Sequence, residues 1–155
     1  MSDFWQIVKK RHSVRNFDST KNVSQEAIEK IIEAAKMAPS AGGIYPTDFI
    51  VIRDEKIKNQ IAESAMGQYF ISQAPVVIVV IADIEKTASR YGERGRNLYV
   101  IQDAAAATEN LLLAATALGL GSCWVGAFDE EELKRILKLK KNFRPLAIIP
   151  VGYEK

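Results

Sequence analysis

The chain has 155 residues and a mass of 17.2 kDa, with 21 Lys plus Arg against 19 Asp plus Glu, a formal charge of +2. At 48% apolar and 26% charged it has the balance of an ordinary globular protein, which excludes a disordered chain, and its near-neutral charge argues against general nucleic-acid binding, which needs a strongly basic face. One cysteine excludes an intramolecular disulfide and C-x-x-C zinc spacing, and one histidine excludes a His-rich metal site.

A single domain over 1–155 is expected at this length. Such a chain buries only about 70% of its unfolded surface, so a deep ligand cleft would consume much of its one core. A partner subunit would relieve that conflict. Residues Met1-Ser2-Asp3-Phe4-Trp5 show no signal-peptide pattern, and the longest apolar run, Ala74 to Ala82, is far short of the ~20 residues of a membrane span. A cytoplasmic protein without membrane association is expected.

Helix and strand signals alternate along the chain. Ser2 is placed to cap a first helix whose apolar face holds Phe4, Ile7 and Val8. Ser24 caps a second, where Ile28, Ile31, Ile32 and Ala35 follow helical spacing, Glu26 precedes Lys30 by one turn, and Pro39 sets the stop. Phe49–Ile52 reads as a strand, and Asp54 caps a helix carrying Ile57, Ile61 and Ala65. Val76–Ile81 is apolar without alternation, the pattern of a strand buried on both faces. The polar stretch Glu85–Asn97, with Gly92 and Gly95, reads as a mobile loop or broken helix, a candidate lid.

Leu98–Leu118 is the strongest helix signal, and it is apolar nearly all round. Its own domain can cover one face and a second subunit the other; a central helix of a monomer is the alternative. Gly119 ends it. Ser122–Ala127 reads as a strand, Asp129 with Glu132 opens a helix carrying Leu133, Ile136 and Leu137, and Leu146–Val151 is a last strand. The alternation by itself suggests a parallel α/β sheet.

Three clusters could carry chemistry. Arg11-His12-Ser13-Val14-Arg15 sets two guanidiniums and a hydroxyl within five positions, a donor set suited to phosphate, although a solvated basic helix terminus is the simpler account of the spacing. Pro39-Ser40-Ala41-Gly42-Gly43, followed by Ile44-Tyr45-Pro46, is a tight loop open enough for backbone amides to approach a flat ligand, or a plain connection. Gly119-Leu120-Gly121-Ser122-Cys123-Trp124-Val125-Gly126 matches neither nucleotide fingerprint: Ala127-Phe128 stand where a P-loop needs Lys-Ser/Thr, and Trp124 stands where a dinucleotide fold needs its third glycine. Cys123 and His12 make a poor nucleophile–base pair, because Cys123 lies in an apolar strand pattern and no third residue orients the base. Carboxylates are scattered over helix faces and form no convincing acid–base pair, so no catalytic side chain is assigned.

Taken in order, these clusters resemble the FMN-dependent nitroreductase family. The resemblance rests on Arg11-His12-Ser13-Val14-Arg15-Asn16-Phe17, on Ala38-Pro39-Ser40-Ala41-Gly42 leading into Phe49-Ile50-Val51-Ile52, on Ala117 through Phe128, and on Pro145 through Tyr153. It covers essentially the whole chain. It implies an α+β fold, a mostly antiparallel sheet flanked by helices, and a homodimer with FMN at the subunit interface; that expectation is adopted over the parallel sheet. It implies that Arg11 and Ser13 hold the FMN phosphate and ribityl with His12 beside them, and that Arg15 lies at the pyrimidine edge, where a cation offsets developing negative charge. Pro39, Ser40, Ala41, Gly42 and Gly43 would come from the partner, while Trp124, Val125 and Gly126 line one flavin face and direct a backbone amide to its reactive nitrogen.

The activity implied is ping-pong transfer of hydride from NAD(P)H through FMN to an electron-poor small molecule, nitroaromatic or quinone-like. The sequence departs from the family at Gly43, where an Asn is common, and at Tyr45 and Thr47, where Gln and Trp are common. Gly42-Gly43-Ile44-Tyr45-Pro46 is closer to the branch that oxidises azoline rings, which keeps that dehydrogenase open as an alternative. A flavin-binding protein without turnover is another. An acidic residue present before the last glycine of the third motif in some members is absent. The chain stops at Lys155, where many members continue to a basic phosphate contact; Lys155 itself is the candidate substitute.

Overall fold

The computed structural model describes residues 3–155. Its elements, in chain order, are α1 (Phe4–Lys10), α2 (Gln25–Lys36), β1 (Thr47–Ile52), α3 (Glu55–Ser64), α4 (Phe70–Gln73), β2 (Val76–Asp83), α5 (Ile84–Arg94), α6 (Val100–Ala117), β3 (Gly121–Ser122), α7 (Glu130–Leu137) and β4 (Phe143–Gly152). Short 3-10 and π turns sit at Ala41–Gly43 and Gly95–Tyr99.

Capping residues fix several of these starts. Ser24, Asp54 and Asp129 each accept a hydrogen bond from the backbone N–H three residues on, at 3.1, 2.9 and 2.9 Å. Ser2, expected to cap α1, lies outside the described residues; Asp3 occupies the cap position and makes no side-chain cap bond. α6 ends in a Schellman closure, with Leu120 N–H on the Ala115 carbonyl, Gly119 N–H on the Thr116 carbonyl, and Gly119 at φ +76°.

The four strands form one sheet in the order β1-β2-β4-β3, every pair antiparallel. The alternation of helices and strands suggested parallel strands, and the structure shows why that cue misleads. The ends of β1 and β2 meet at Ile52↔Val77, and those of β2 and β4 at Asp83↔Phe143. Each helical excursion thus returns to the end of the sheet it left, which reverses the next strand. β2 is the centre of the molecule. Val76, Ile78 and Val80 face α2 and α6, while Val77, Val79 and Ile81 face the layer containing Ile61, Ile71 and Leu133 of α3, α4 and α7. Its unbroken apolar run follows from burial on both faces.

Two expectations change and one is narrowed. Ser122–Ala127 is not a continuous strand: β3 is two residues long, and Val125 adds an isolated bridge to Ile148. Of the two readings of Glu85–Asn97, the structure shows the broken helix: it breaks at Gly92 and is continued by the π turn. α1 buries no residue at all, and Phe4, Trp5 and Val8 are 58, 65 and 40% exposed. No helix among the described residues is long and apolar enough to cross a membrane.

Candidate functional site

The first and third clusters meet in the folded chain. Val14 N–H donates to the Ser122 carbonyl at 2.9 Å and Ser13 bridges Ser122 in parallel, so Arg11–Arg15 runs beside the turn that carries Cys123, Trp124, Val125 and Gly126. The contact is close because Gly121 has no side chain: a Cβ there would lie 2.8 Å from a methyl of Val14, which is itself buried. Burying Val14 turns its neighbours Ser13 and Arg15 outward. Arg15 has no carboxylate partner among the described residues, and Arg11 approaches Glu109 of α6 at 3.9 Å.

His12 is tied down on both nitrogens. Nδ1 lies 3.0 Å from the Lys10 carbonyl and Nε2 3.1 Å from Glu154. Both partners are acceptors, so the doubly protonated ring is the form that can donate to each of them. The Lys10 carbonyl and the Glu154 carboxylate accordingly hold the His12 pKa above its ordinary value. Cys123 is buried, and burial pushes its thiol pKa up although Arg15 and Ser13 pull the other way. A histidine engaged on both sides and a thiol kept protonated do not form a nucleophile–base pair.

Within the third cluster the side chains divide. Trp124 is 40% exposed and Gly126 is open to solvent. Val125 does not present its side chain to a ligand: it is 3% exposed in the core, and its N–H and carbonyl both pair with Ile148 at 2.9 and 3.0 Å. Of the three residues, only Trp124 and Gly126 have an amide that donates to no backbone carbonyl among the described residues.

The second cluster stands apart. It is fastened to the first turn of α6 by Asp103, a residue the sequence reading passed over among the scattered carboxylates. Asp103 is 8% exposed and accepts from Ser40 Oγ at 2.7 Å and from Ala41 N–H at 3.0 Å. Ser40 Oγ also accepts from Tyr45 N–H at 2.9 Å, so the hydroxyl closes its own loop. The only hint in the sequence is an acid in the first turn of a largely apolar helix. Pro39, Gly42 and Gly43 are exposed on the loop, Gly42 at φ +61° against Tyr91 and Arg90 of α5.

A cavity of about 410 Å³ opens on this side. It is bounded by Pro39, Ser40, Tyr45, Phe49 and Asp103, and no residue of the first or third cluster lines it. A recess of about 70 Å³ at the other end of α6 is lined by His12, Val14, Thr116, Gly121 and Glu154. From Asp103 to Thr116 the helix rises about 20 Å. The first and third clusters and the second cluster thus lie near opposite ends of α6.

An α+β protein that sets Arg and Ser donors beside a glycine-containing aromatic turn, with a second loop held apart by a buried acid, has the parts of an anionic-cofactor site without closing it alone. Comparison with known proteins gives the family. The profile of the Nitroreductase family matches residues 8–72 and 65–153. A protein of Archaeoglobus fulgidus, provisionally named NADH dehydrogenase/NAD(P)H nitroreductase, is 36% identical over 159 residues, covering 100% of this chain and 87% of its own length. The crystal structure of a nitroreductase family protein from Clostridium novyi NT superposes with a TM-score of 0.90 at 31% identity, over 99% of this chain and 86% of that one. An FMN-dependent nitroreductase from Clostridium difficile R20291 gives 0.83 at 31% identity, over 96% and 86%. The chain belongs to the nitroreductase family.

Proposed function

We propose that this protein is an FMN-dependent NAD(P)H oxidoreductase that works as a homodimer and passes electrons in ping-pong fashion to small electron-poor acceptors. Family membership supports the oxidoreductase reading. The observation that carries the site is the junction of Arg11, Ser13 and Arg15 with the Trp124 turn.

These residues fit FMN. Arg11 and Ser13 offer charged and hydroxyl donors to a phosphate, and His12 beside them, its pKa raised by the Lys10 carbonyl and Glu154, adds positive charge when protonated. The backbone of Lys155 donates to the Asn16 carbonyl at 3.1 Å, next to Arg15, where its ammonium can supply a further cation. Arg15, which has no carboxylate partner among the described residues, would offset the negative charge that accumulates on the flavin on reduction. Trp124 provides a flat apolar surface. The flavin, when bound, supplies acceptance and return of hydride; the chain supplies binding, orientation and electrostatics.

The dimer reading is supported by what one chain leaves open. α1 has no buried residue, and α6 presents Ile101, Ala105, Leu113 and Ala117 as a half-covered to exposed row along one face, with the exposed Glu109 between Ala105 and Leu113. A second copy covers both, and brings Pro39–Gly43 of the partner subunit to the donors of the first.

The test is spectroscopic. Purified protein should be yellow, with absorbance near ~450 nm, and NADH or NADPH should bleach it under anaerobic conditions within seconds. Protein that is colourless and fails to take up added FMN overturns the assignment; bound flavin that neither nucleotide bleaches reduces it to a flavin carrier.

A further inference from the structure

The segment Ile84–Tyr99 sorts its charges unevenly. Arg96 takes both acidic neighbours, Glu85 through two hydrogen bonds and Glu93 at 3.2 Å. Lys86, Arg90 and Arg94 are left without a carboxylate in ion-pair range among the described residues, and all three are exposed. Each is instead pinned by a neutral group. Lys86 Nζ donates to the Tyr45 carbonyl at 3.2 Å, Arg90 Nη1 to the Gly42 carbonyl at 3.1 Å, and Arg94 Nε to the Tyr99 hydroxyl at 3.0 Å.

Aromatic rings join these cations into one surface. The Arg90 guanidinium lies 5.3 Å from the Tyr91 ring centre and Arg94 lies 5.4 Å from that of Tyr99. The two rings meet edge to face at 5.2 Å. Beneath them the backbone is tight: a Cβ on Gly95 would lie 2.8 Å from the Thr87 carbonyl oxygen. A solvated basic face normally intersperses acids with its cations, whereas here the acids are drawn off to Arg96. Guanidiniums stacked on rings lose little further freedom when they bind, and each retains N–H groups beyond the one already used.

We propose that Lys86, Arg90 and Arg94 form an anion-binding ledge for the molecule that exchanges electrons with the flavin. The ligand chemistry is a phosphate or carboxylate attached to a planar ring system, either the pyrophosphate of the nicotinamide dinucleotide or the acid group of an aromatic acceptor. The ledge borders Gly42 and Tyr45, within and just after the Pro39–Gly43 loop assigned above to the flavin, and so rests on that assignment.

The test uses the flavin-loaded protein and Arg94→Gln, because Arg94 touches neither the loop nor the donors of the first cluster. Arg94→Lys serves as the charge-keeping variant, and Arg135→Gln on the distant α7 as control. One arm titrates the flavin spectrum with 4-nitrobenzoate and with neutral 4-nitrobenzamide. The other measures the NADH concentration that half-saturates anaerobic flavin bleaching.

Arg94→Gln should lower the preference for the benzoate over the benzamide, or raise the half-saturating NADH, by about fivefold, with most of the loss recovered in Arg94→Lys. The first result assigns the ledge to an anionic acceptor and the second to the dinucleotide. If both quantities stay within twofold of the Arg135→Gln control, the ledge is refuted while yellow protein leaves the flavin assignment standing. Protein that cannot be loaded with FMN refutes both.

Discussion

Removing the Asp103 carboxylate should free the Pro39–Gly43 loop. The carboxylate accepts from Ser40 Oγ at 2.7 Å and Ala41 N–H at 3.0 Å while 8% exposed. Hydrogen bonds to a charged group contribute about 1.5–3 kcal/mol each. Asp103→Ala loses both, but the variant no longer has to desolvate a charge, and Ser40 is only half-buried and can rehydrate. The gap opens into the 410 Å³ cavity, where water can enter, so no large void penalty is added. The net cost is about 2–3 kcal/mol, which for a chain of this size lowers Tm by about 4–12 °C. Asp103→Asn keeps one acceptor and should lose about half as much. Thermal unfolding at fixed protein concentration measures the order parent, Asn, Ala, and hydrogen exchange at the Ala41 amide reports the loop directly. An Ala variant within 0.5 kcal/mol of the parent, with Ala41 exchange unchanged, refutes the anchoring role.

Other outcomes follow from single contacts. Arg15→Ala should weaken FMN binding or slow flavin reduction more than Lys9→Ala; equal effects in a fluorescence titration remove Arg15 from the site. Gly152→Ala places a Cβ 2.6 Å from Pro75 Cδ and 3.1 Å from the buried Phe17 ring, and should cost about 1–3 kcal/mol in urea unfolding. Glu154→Gln should lower the titration midpoint of His12, the one histidine, followed by NMR. Because its pKa is raised in the folded protein, the stability His12 contributes is full below about pH 6.5 and is lost as pH climbs through the folded value. A midpoint that does not move in the Gln variant dissolves the pair.

Local chemistry was legible in the sequence where one residue decides it. Ser24, Asp54 and Asp129 cap the helices their positions suggest, and the Val76–Ile81 run is the doubly buried centre of the sheet. Strand direction was not legible, because it depends on the path of the excursions and not on the residues within the strands. The Asp103 anchor joins residues 62 and 63 positions apart, a separation no local pattern reports. Val125 matched a motif by position, yet the sheet register turns its side chain inward and uses both its backbone groups. Spacing alone left the first two clusters with a structural explanation and the third without a nucleotide fingerprint; only the family resemblance assigned them a common ligand.

The exposure of α1 has a thermodynamic consequence. Seven residues are too few for a helix to persist in water by itself, and within its own chain this one has no buried residue to hold it. Yet Arg11 and His12 are set by its C-terminal end. In the proposed dimer the neighbouring subunit therefore stabilises the backbone that presents the phosphate donors, and bound flavin in turn favours association. Subunit and cofactor become reciprocal effectors, so flavin affinity should rise with protein concentration, and dilution should release the two together.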